Sequence, residues 1–247
     1  MITAIWGLEK SCKTTLGLTW PKPLKHFDFD LGYERASHRF KGQDIASSKH
    51  ITPIQLGARL YGCKELWYKF ITDYNKTLED KSTATVMVDT ATQLWEVCRM
   101  AYLQEKQENQ APNERLRQSL IPVEYAEPNA RMKSIIQAAR QHDKHLVLIH
   151  YARDEYITRQ DPDTGQLKDV RSGKLEIDGF KWTEGLVDLV VHTYIQRTLD
   201  KRGDTTGMAP WGVITLSGLD LGMVGQKFEA PNYDSFITLF KMLRGEE

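Results

Sequence analysis

The sequence predicts an α/β protein with a mostly parallel central sheet flanked by helices, antiparallel C-terminal strands and a β-hairpin insertion. Two observations predict this class. Over the first 150 residues, short apolar runs alternate with segments whose apolar residues recur at helical spacing, which is typical of parallel strands joined by crossover helices. Beyond residue 150, apolar runs flank turns rich in Gly and Asp, which is typical of antiparallel hairpins.

The predicted parallel strands are short runs of apolar residues. They are Ile2–Trp6, Leu24–Phe29, Thr85–Asp89 and His145–His150. A polar turn at Gly7–Thr15 follows the first strand, and a short helix at Leu16–Trp20 is predicted to end at Pro21. The segment Arg35–His50 is polar, locally basic and expected to be irregular.

Two capping boxes predict where the longer helices begin. Thr52-Pro53-Ile54-Gln55 places proline at the first helical position, and Thr90-Ala91-Thr92-Gln93 opens a second helix. The apolar stripes behind them, and a third stripe after an expected surface loop at 108–130, recur at helical spacing. The three stripes are Leu66, Phe70 and Tyr74; Leu94, Val97, Cys98 and Ala101; and Met132, Ile135, Ile136 and Ala139.

Two hairpins and a helix complete the prediction. Glu155–Thr158 and Leu167–Val170 flank the turn Asp161–Gly165, and Leu186–Ile195 and Trp211–Leu216 flank the turn Asp200–Gly207. A last helix carries Phe236, Leu239, Phe240 and Leu243. Because no repeat or linker is visible, we expect a single domain over residues 1–247, with 153–181 as a protruding hairpin insertion.

Composition narrows the function. The chain of 247 residues has 33 Lys+Arg and 33 Asp+Glu, so its formal net charge is zero, which argues against a strongly basic nucleic-acid coat. There is no run of about 18 apolar residues that predicts a membrane span and no visible secretory signal. Three widely spaced cysteines form neither a disulfide framework nor a zinc pattern, so we expect a reducing cytoplasm.

The segment from Ala4 to Thr15 has the form of a Walker A loop. A strand, a loop of small residues and a Lys-Thr pair opening a helix place backbone N–H groups and the helix dipole at a phosphate. Lys13 is the candidate for the terminal phosphates, and the Thr14 hydroxyl is the candidate for Mg²⁺. The expected nucleotide-binding residues are Gly7, Leu8, Glu9, Lys10, Ser11, Cys12, Lys13, Thr14 and Thr15.

One position departs from this pattern, because Cys12 stands where a second glycine is usual. Glycine tolerates unusual dihedral angles and close approach to phosphate, so we expect cysteine to weaken nucleotide binding without abolishing it. An ordinary strand–turn–helix remains the alternative interpretation. Val86-Met87-Val88-Asp89 argues against it, because an apolar strand that ends in Asp is the expected Walker B partner. Asp89 would hold Mg²⁺ with Thr14, or else would only end the strand and help to cap the next helix.

The motifs GLEKSCKTTL, FDFD and VMVDT resemble the core of RecA-like P-loop ATPases over about the first 155 residues. More closely, the chain is similar to compact phage-encoded RecA-type ATP-binding proteins linked to single-strand annealing and recombination. The resemblance implies that an acidic residue at the end of the second strand activates the attacking water. Asp30 aligns best with that position, with Glu34 as a fallback, unless Asp28 and Asp30 are only turn residues before Gly32.

The resemblance also implies a polar sensor of the γ-phosphate after the fourth strand. His150 is the first candidate and Tyr151 the second, although a histidine at a strand end is often a satisfied core residue. DNA-contacting loops would fall at Arg153–Lys181, where six basic residues face seven acidic ones, so subunit contacts are at least as good an explanation. Arg197, Lys201 or Arg202 would serve as a finger that reaches a neighbouring subunit's nucleotide, unless they are solvated turn residues.

The leading hypothesis is therefore a Mg²⁺-dependent ATPase that acts in phage DNA recombination or replication. Its expected ligands are ATP and Mg²⁺, and its expected partners are single-stranded DNA, further copies of the chain or other recombination proteins. The cytoplasm of a bacterial host is its expected location. A nucleotide-dependent assembly module with little hydrolysis is the alternative, favoured by Cys12 and the missing basic patch. A small-molecule P-loop kinase ranks last, because 153–181 is not an arginine-rich lid.

Overall fold

The protein is a mixed α/β sheet with helices on both faces. The computed structural model describes residues 1–161, 165–199, 202 and 204–246. Within that part of the chain the strands are β1 (Ile2–Gly7), β2 (Leu24–Asp28), β3 (Ile45–Lys49), β4 (Thr85–Asp89), β5 (His145–Gln160), β6 (Leu167–Ile177), β7 (Leu189–Leu199), β8 (Thr205–Ser217) and β9 (Lys227–Glu229).

The helices alternate with the strands along the first part of the chain. They are α1 (Lys13–Gly17), α2 (Tyr33–Ser37), α3 (Cys63–Glu79), α4 (Ala91–Glu108), α5 (Ala126–Gln141), α6 (Thr183–Leu186) and α7 (Tyr233–Arg244). Short 3₁₀ turns lie at His38–Phe40, Pro122–Tyr125 and Leu221–Met223. The 3₁₀ turn at His38–Phe40 directly continues α2.

The order of strands across the sheet is β3-β2-β4-β5-β1-β7-β8-β9. The first six strands in this order pair in parallel, whereas β8 and β9 are antiparallel. β5 lies between β1 and β4, and it runs on past the sheet to pair with β6 as a hairpin. The predicted fold class is therefore confirmed, and the loops after β1, β2, β4 and β5 meet at one edge.

Two apolar cores hold the helices against the sheet. Alternate residues of each strand point to opposite faces. Accordingly, Leu146 and Leu148 of β5 pack with α3, α4 and α5, while Val147 and Ile149 pack with α1 and α7. The second core places α1, and with it the loop that precedes it, on the same face as the odd-numbered residues of β5.

The helix predicted to begin at Pro53 is wrong. Residues 51–61 are irregular, and the helix starts at Cys63 behind Gly62, whose φ is 73°. The side chain of Gln55 explains the difference, since it donates to the carbonyls of Pro53 and Tyr61 and accepts from the Tyr61 N–H. These bonds fold the segment into a loop and replace those of a first helical turn.

Other boundaries also shift. The irregular stretch predicted at 108–130 is shorter, because α4 continues to Glu108 and α5 begins at Ala126. The segment 35–50 was expected to be irregular but contains part of α2 and the parallel strand β3, because pairing with β2 overrides weak local propensity. The turns predicted at 161–165 and 200–207 include residues 162–164, 200, 201 and 203, which lie outside the described residues.

Candidate functional site

The loop between β1 and α1 is braced against β7. A Cβ at Gly7 would lie 2.3 Å from the carbonyl oxygen of Thr193, so only glycine fits there. Ser11 Oγ donates to the Leu8 carbonyl at 2.8 Å and lies 2.8 Å from Thr193 Oγ1. The Thr193 hydroxyl also bonds the Trp6 carbonyl. These contacts fix the path of the loop before any ligand arrives.

Cys12 caps the amino end of α1 in a left-handed conformation, with φ 65° and ψ 22°. Lys10 is also left-handed, with φ 61°. A side chain at such dihedral angles costs about 1–2 kcal/mol relative to glycine. The strain lies at the position where the loop pattern calls for glycine, and it gives a structural reason for that preference.

The Lys13 side chain is buried beneath the loop. Its Nζ donates to the carbonyls of Gly7 at 3.0 Å and Leu8 at 2.7 Å. Burial lowers the pKa of Lys13, an effect opposed by the nearby carboxylates of Asp89 and Asp30. The ammonium group is therefore held at the floor of the loop, where an anion would restore the solvation that burial removes.

Thr14 and Asp89 meet directly although they are 75 residues apart. The Thr14 hydroxyl donates to Asp89 Oδ2 at 2.6 Å. On the other side, His26 Nε2 lies 3.5 Å from the same oxygen. The Asp89–Thr90 peptide bond is cis, and the Thr90 hydroxyl caps α4 by accepting the Gln93 N–H. The second capping box thus marks the helix start that the sequence predicts.

The two aspartates after β2 have different surroundings. Asp28 is buried and accepts the backbone N–H groups of Asp30, Gly32 and Tyr33, so it shapes the turn. Asp30 accepts the Tyr151 hydroxyl at 2.6 Å. Burial raises the pKa of Asp30, and the carboxylates of Asp89 and Asp28 raise it further.

Gly32 sits among the predicted site residues. A Cβ there would lie 2.8 Å from Asp30 Oδ1, 3.5 Å from Thr14 Oγ1 and 3.6 Å from Asp89 Oδ2. The structure therefore brings Asp30, Thr14 and Asp89 to one point. Glu34, the fallback base, is exposed instead, and it pairs with Lys49 at 2.6 Å.

His150 does not join this group, whereas Tyr151 does. The His150 imidazole is fully buried, and its Nδ1 lies 3.0 Å from the Asp178 carbonyl oxygen. Burial lowers the pKa of His150 to about 4. Because residues of a strand alternate between faces, His150 points away from α1 and Tyr151 points towards it. Of the two sensor candidates, only the second lines the cleft described next.

A cleft of about 560 Å³ opens above these groups. One wall is the loop from Glu9 to Thr15, and the floor holds Asp30, Asp89 and Tyr151. The opposite wall, which the sequence interpretation did not assign, is α2 with its 3₁₀ extension, and it contributes Arg35, His38 and Arg39. The sequence marked this segment as locally basic, with two arginines four residues apart after a strand, but gave no sign that it faces the cleft.

The remaining basic candidates lie elsewhere. Neither Arg197 nor Arg202 lines the cleft, and Lys201 is outside the described residues. On the hairpin, Arg153 pairs with Glu176 at 2.9 Å, and Arg171 lies 3.3 Å from Asp154. These two arginines of the hairpin are thus matched by carboxylates across the strands. Within the described residues, no helix is long and apolar enough to cross a membrane.

Comparison with known proteins identifies a family and a likeness to solved structures. The KaiC-like protein PH0186 from the hyperthermophilic archaeon Pyrococcus horikoshii OT3 superposes with a TM-score of 0.48 at 8% sequence identity, covering 92% of this chain and 83% of that one. No curated protein matches the chain. The sequence profile of the AAA domain family (AAA_24) matches residues 1–209. This match spans most of the chain, which therefore belongs to that family of AAA-type ATPase domains.

Proposed function

We propose that this chain is a Mg²⁺-dependent ATPase whose active site is the cleft between the 7–15 loop and α2. The observation that carries the proposal is the direct bond between Thr14 and Asp89 beside the buried Lys13. A hydroxyl, a carboxylate and an ammonium group at the amino end of a helix are the groups that a metal-bound triphosphate requires.

The loop supplies the phosphate site. Its backbone N–H groups and the amino end of α1 attract negative charge. Lys13 is already held under the loop by two carbonyl oxygens, so little side-chain entropy remains to be lost when phosphate binds. Thr15, at the next position of α1, also lines the cleft.

Thr14 and Asp89 fit Mg²⁺, because this ion prefers oxygen ligands and is held by one or two protein groups together with phosphates and water. When bound, the ion neutralises charge on the phosphate oxygens. His26 Nε2 lies 3.5 Å from Asp89 Oδ2, the oxygen that accepts the Thr14 hydroxyl. Asp89 is buried, which makes an unpaired charge there costly and favours a cation beside it.

Asp30 is the proposed general base. A carboxylate with a raised pKa is a stronger proton acceptor, and Asp30 stands beside Thr14 and Asp89 where water would attack. The Tyr151 hydroxyl donates to Asp30 and so fixes its orientation. Tyr151 also lines the cleft, so we assign it, rather than His150, the role of reporting the terminal phosphate to the hairpin that continues from β5.

A role in phage DNA recombination or replication, with single-stranded DNA and further subunits as partners, is proposed from the resemblance. The hairpin's ion pairs mean that DNA bound there would have to compete with Glu176 and Asp154. Hydrolysis at a subunit interface would bring Arg197 or a neighbouring basic residue to another copy's cleft. The second candidate, an assembly module that holds ATP with little turnover, is favoured by the strained Cys12.

ATP binding and turnover, measured with and without single-stranded DNA, test the proposal. We expect the wild type to bind ATP only with its loop intact, so that Lys13→Ala abolishes binding. Lys241→Ala, an exposed lysine on α7, is the matched control and should bind like the wild type. Turnover stimulated by DNA supports the recombination ATPase, binding without turnover supports the assembly module, and no ATP binding by the wild type contradicts both.

A further inference from the structure

The wall opposite the loop is a short basic segment, residues 33–40, made of α2 and the 3₁₀ turn that follows. We call it the basic wall. Arg35 and Arg39 are four residues apart, so they lie on one face of a helical segment. Ala36, between them, is buried in the same core as Leu16 of α1 and also lines the base of the cleft. This packing fixes which face turns to the cleft, and both arginines line it.

Neither arginine has a partner of its own. Within the described residues, Arg35 and Arg39 make no hydrogen bond or ion pair, whereas Arg117 and Arg131 pair with carboxylates at 2.7 and 2.9 Å. A guanidinium group has five N–H donors in a planar fork that matches phosphate. Two such groups that face a cleft without a protein acceptor are suited to an anionic ligand.

These two residues decide the sign of charge in the cleft. The ionised groups lining it are four cations against three carboxylates. Without Arg35 and Arg39, two cations would face three carboxylates, so the side chains of the cleft would carry a net negative charge before Mg²⁺ binds. The four cations are Lys10, Lys13, Arg35 and Arg39, and the carboxylates are Glu9, Asp30 and Asp89. The two arginines therefore add positive charge to a site where the loop amides, Lys13 and Mg²⁺ already attract phosphate.

The two arginines stand at different distances from the metal end of the site. Gly32 lies beside Thr14 and Asp89. Arg35 is about one helical turn beyond it, and Arg39 about two turns. Arg39 also lines a second cavity of about 210 Å³ beside Thr15 and Thr19, which neither Arg35 nor Asp89 lines.

We infer that Arg35 and Arg39 bind the phosphates of the nucleotide in cis, from the side opposite to the loop. Arg35 contacts the terminal phosphate of ATP, and Arg39 contacts the phosphates that ATP and ADP share. This inference rests on the proposed function, since it deepens the nucleotide site of the same cleft. Arg35 would place a cation at the terminal phosphate from within the same chain. In the sequence analysis, a comparable cation was assigned to Arg197, Lys201 or Arg202 of a neighbouring subunit.

The test is titration calorimetry of the full chain with ATP, ADP and pyrophosphate in the presence of Mg²⁺. Arg35→Ala should weaken ATP about tenfold, as expected for loss of a charge-assisted bond, and ADP by no more than about twofold. Arg39→Ala should weaken ATP, ADP and pyrophosphate alike. Arg115→Ala removes another exposed arginine and is the matched control. Because Arg35 and Arg39 are exposed, the variants should fold normally, and Arg35→Lys and Arg39→Lys should recover part of the affinity.

The outcomes separate this inference from the proposed function. If the wild type binds no ATP, the proposed function itself fails. If the wild type binds ATP and Lys13→Ala does not, but both arginine variants bind like Arg115→Ala, only the inference is overturned. Equal loss of ATP and ADP in Arg35→Ala contradicts the contact to the terminal phosphate. Loss of nucleotide without loss of pyrophosphate in Arg39→Ala contradicts the contact to the shared phosphates.

Discussion

The cleft and the hairpin contain similar charged residues in opposite arrangements. On the hairpin, Arg153 and Arg171 pair across the strands with Glu176 and Asp154. In the cleft, Arg35 and Arg39 face solvent without an acceptor among the described residues. A chain of zero net charge can therefore hold one region that is neutral by pairing and another whose cations remain available for a ligand. Position, and not the total charge, separates the two.

The largest effect is expected on ATP turnover, from a change at the cleft carboxylate Asp30. Asp30→Asn should lower ATP turnover about 100- to 1,000-fold, because loss of a positioned general base typically costs that much. ATP affinity should be kept or increased, since one negative charge leaves the phosphate site. Steady-state kinetics and calorimetry of the same preparation measure the two effects separately.

The control for this change is Glu34→Gln, which removes the exposed carboxylate paired with Lys49 a few residues away. It should leave turnover unchanged. If Glu34→Gln abolishes turnover while Asp30→Asn does not, the fallback alternative from the sequence is right and Asp30 is only a turn residue.

The two regions also differ in backbone chemistry. In the hairpin, the left-handed positions are filled by Gly165 and Gly173, with φ 67° and 83°. In the phosphate loop, the left-handed positions carry Lys10 and Cys12. At these described hairpin positions glycine avoids the strain that the phosphate loop retains at Lys10 and Cys12. Such strain is common where backbone geometry serves a ligand.

Cys12→Gly should therefore stabilise the fold by about 1 kcal/mol, because relief of the left-handed strain exceeds the entropy that glycine loses on folding. Nucleotide affinity should rise as well. Cys12→Ala keeps the Cβ and is the matched control, so it should gain nothing. Denaturant unfolding of the three proteins checks the effect, and equal stability of the glycine and alanine variants would show that the cysteine conformation carries no cost.

The sequence predicts the site residues that belong to local motifs. It does not predict those that reach the site only through tertiary packing. Lys13, Thr14 and Asp89 are recognisable because each belongs to a local motif at the end of an apolar strand. The choice between His150 and Tyr151 depends on strand parity, and an error of one residue moves a side chain to the other face. Because β5 is apolar on both faces, its sequence pattern does not show which residues point towards α1.

Long-range contacts explain the rest. Thr193 braces the loop from more than 180 residues away, and no local pattern connects the two. Arg35 and Arg39 reach the cleft only because Ala36 packs α2 against the core that holds α1. Their segment was recognised as locally basic, but its orientation is a tertiary property that spacing along one helix does not determine.

The pH dependence of stability provides a smaller test of the same contrast. The pKa of Asp30 is raised, first by burial and then by neighbouring carboxylates, so the folded state holds this proton more tightly than the unfolded chain. Ionisation therefore costs stability above the ordinary aspartate pKa of about 4, and the cost disappears below it. Asp30→Asn should unfold at higher denaturant than the wild type at pH 7, and the difference should vanish towards pH 3.

Glu34 should change stability with pH in the opposite direction to Asp30. Its hydrogen bond and attraction to Lys49 lower the pKa of Glu34, so its ionised form stabilises the fold at neutral pH and that contribution is lost as the pH falls. Glu34→Gln should thus be slightly less stable than the wild type at pH 7, with no difference at low pH. Urea unfolding of both variants between pH 3 and pH 7 measures these differences in stability. If both variants changed stability in the same direction, the buried position of Asp30 in the cleft would be contradicted.

The smallest effect is expected on the hairpin. The double variant Asp154→Asn/Glu176→Gln removes the Asp154 partner of Arg171 and the Glu176 partner of Arg153, and it leaves Arg153 3.7 Å from Asp178. The cleft is not touched, so ATP affinity should stay within about twofold of wild type. Any affinity for single-stranded DNA should rise and become steeper in salt, because the freed cations add phosphate contacts that release counterions. A salt titration of fluorescent oligonucleotide binding measures this. Unchanged DNA binding in the double variant would contradict DNA contacts through Arg153 and Arg171, and would leave the unpaired cations of the cleft as the functional ones in this comparison.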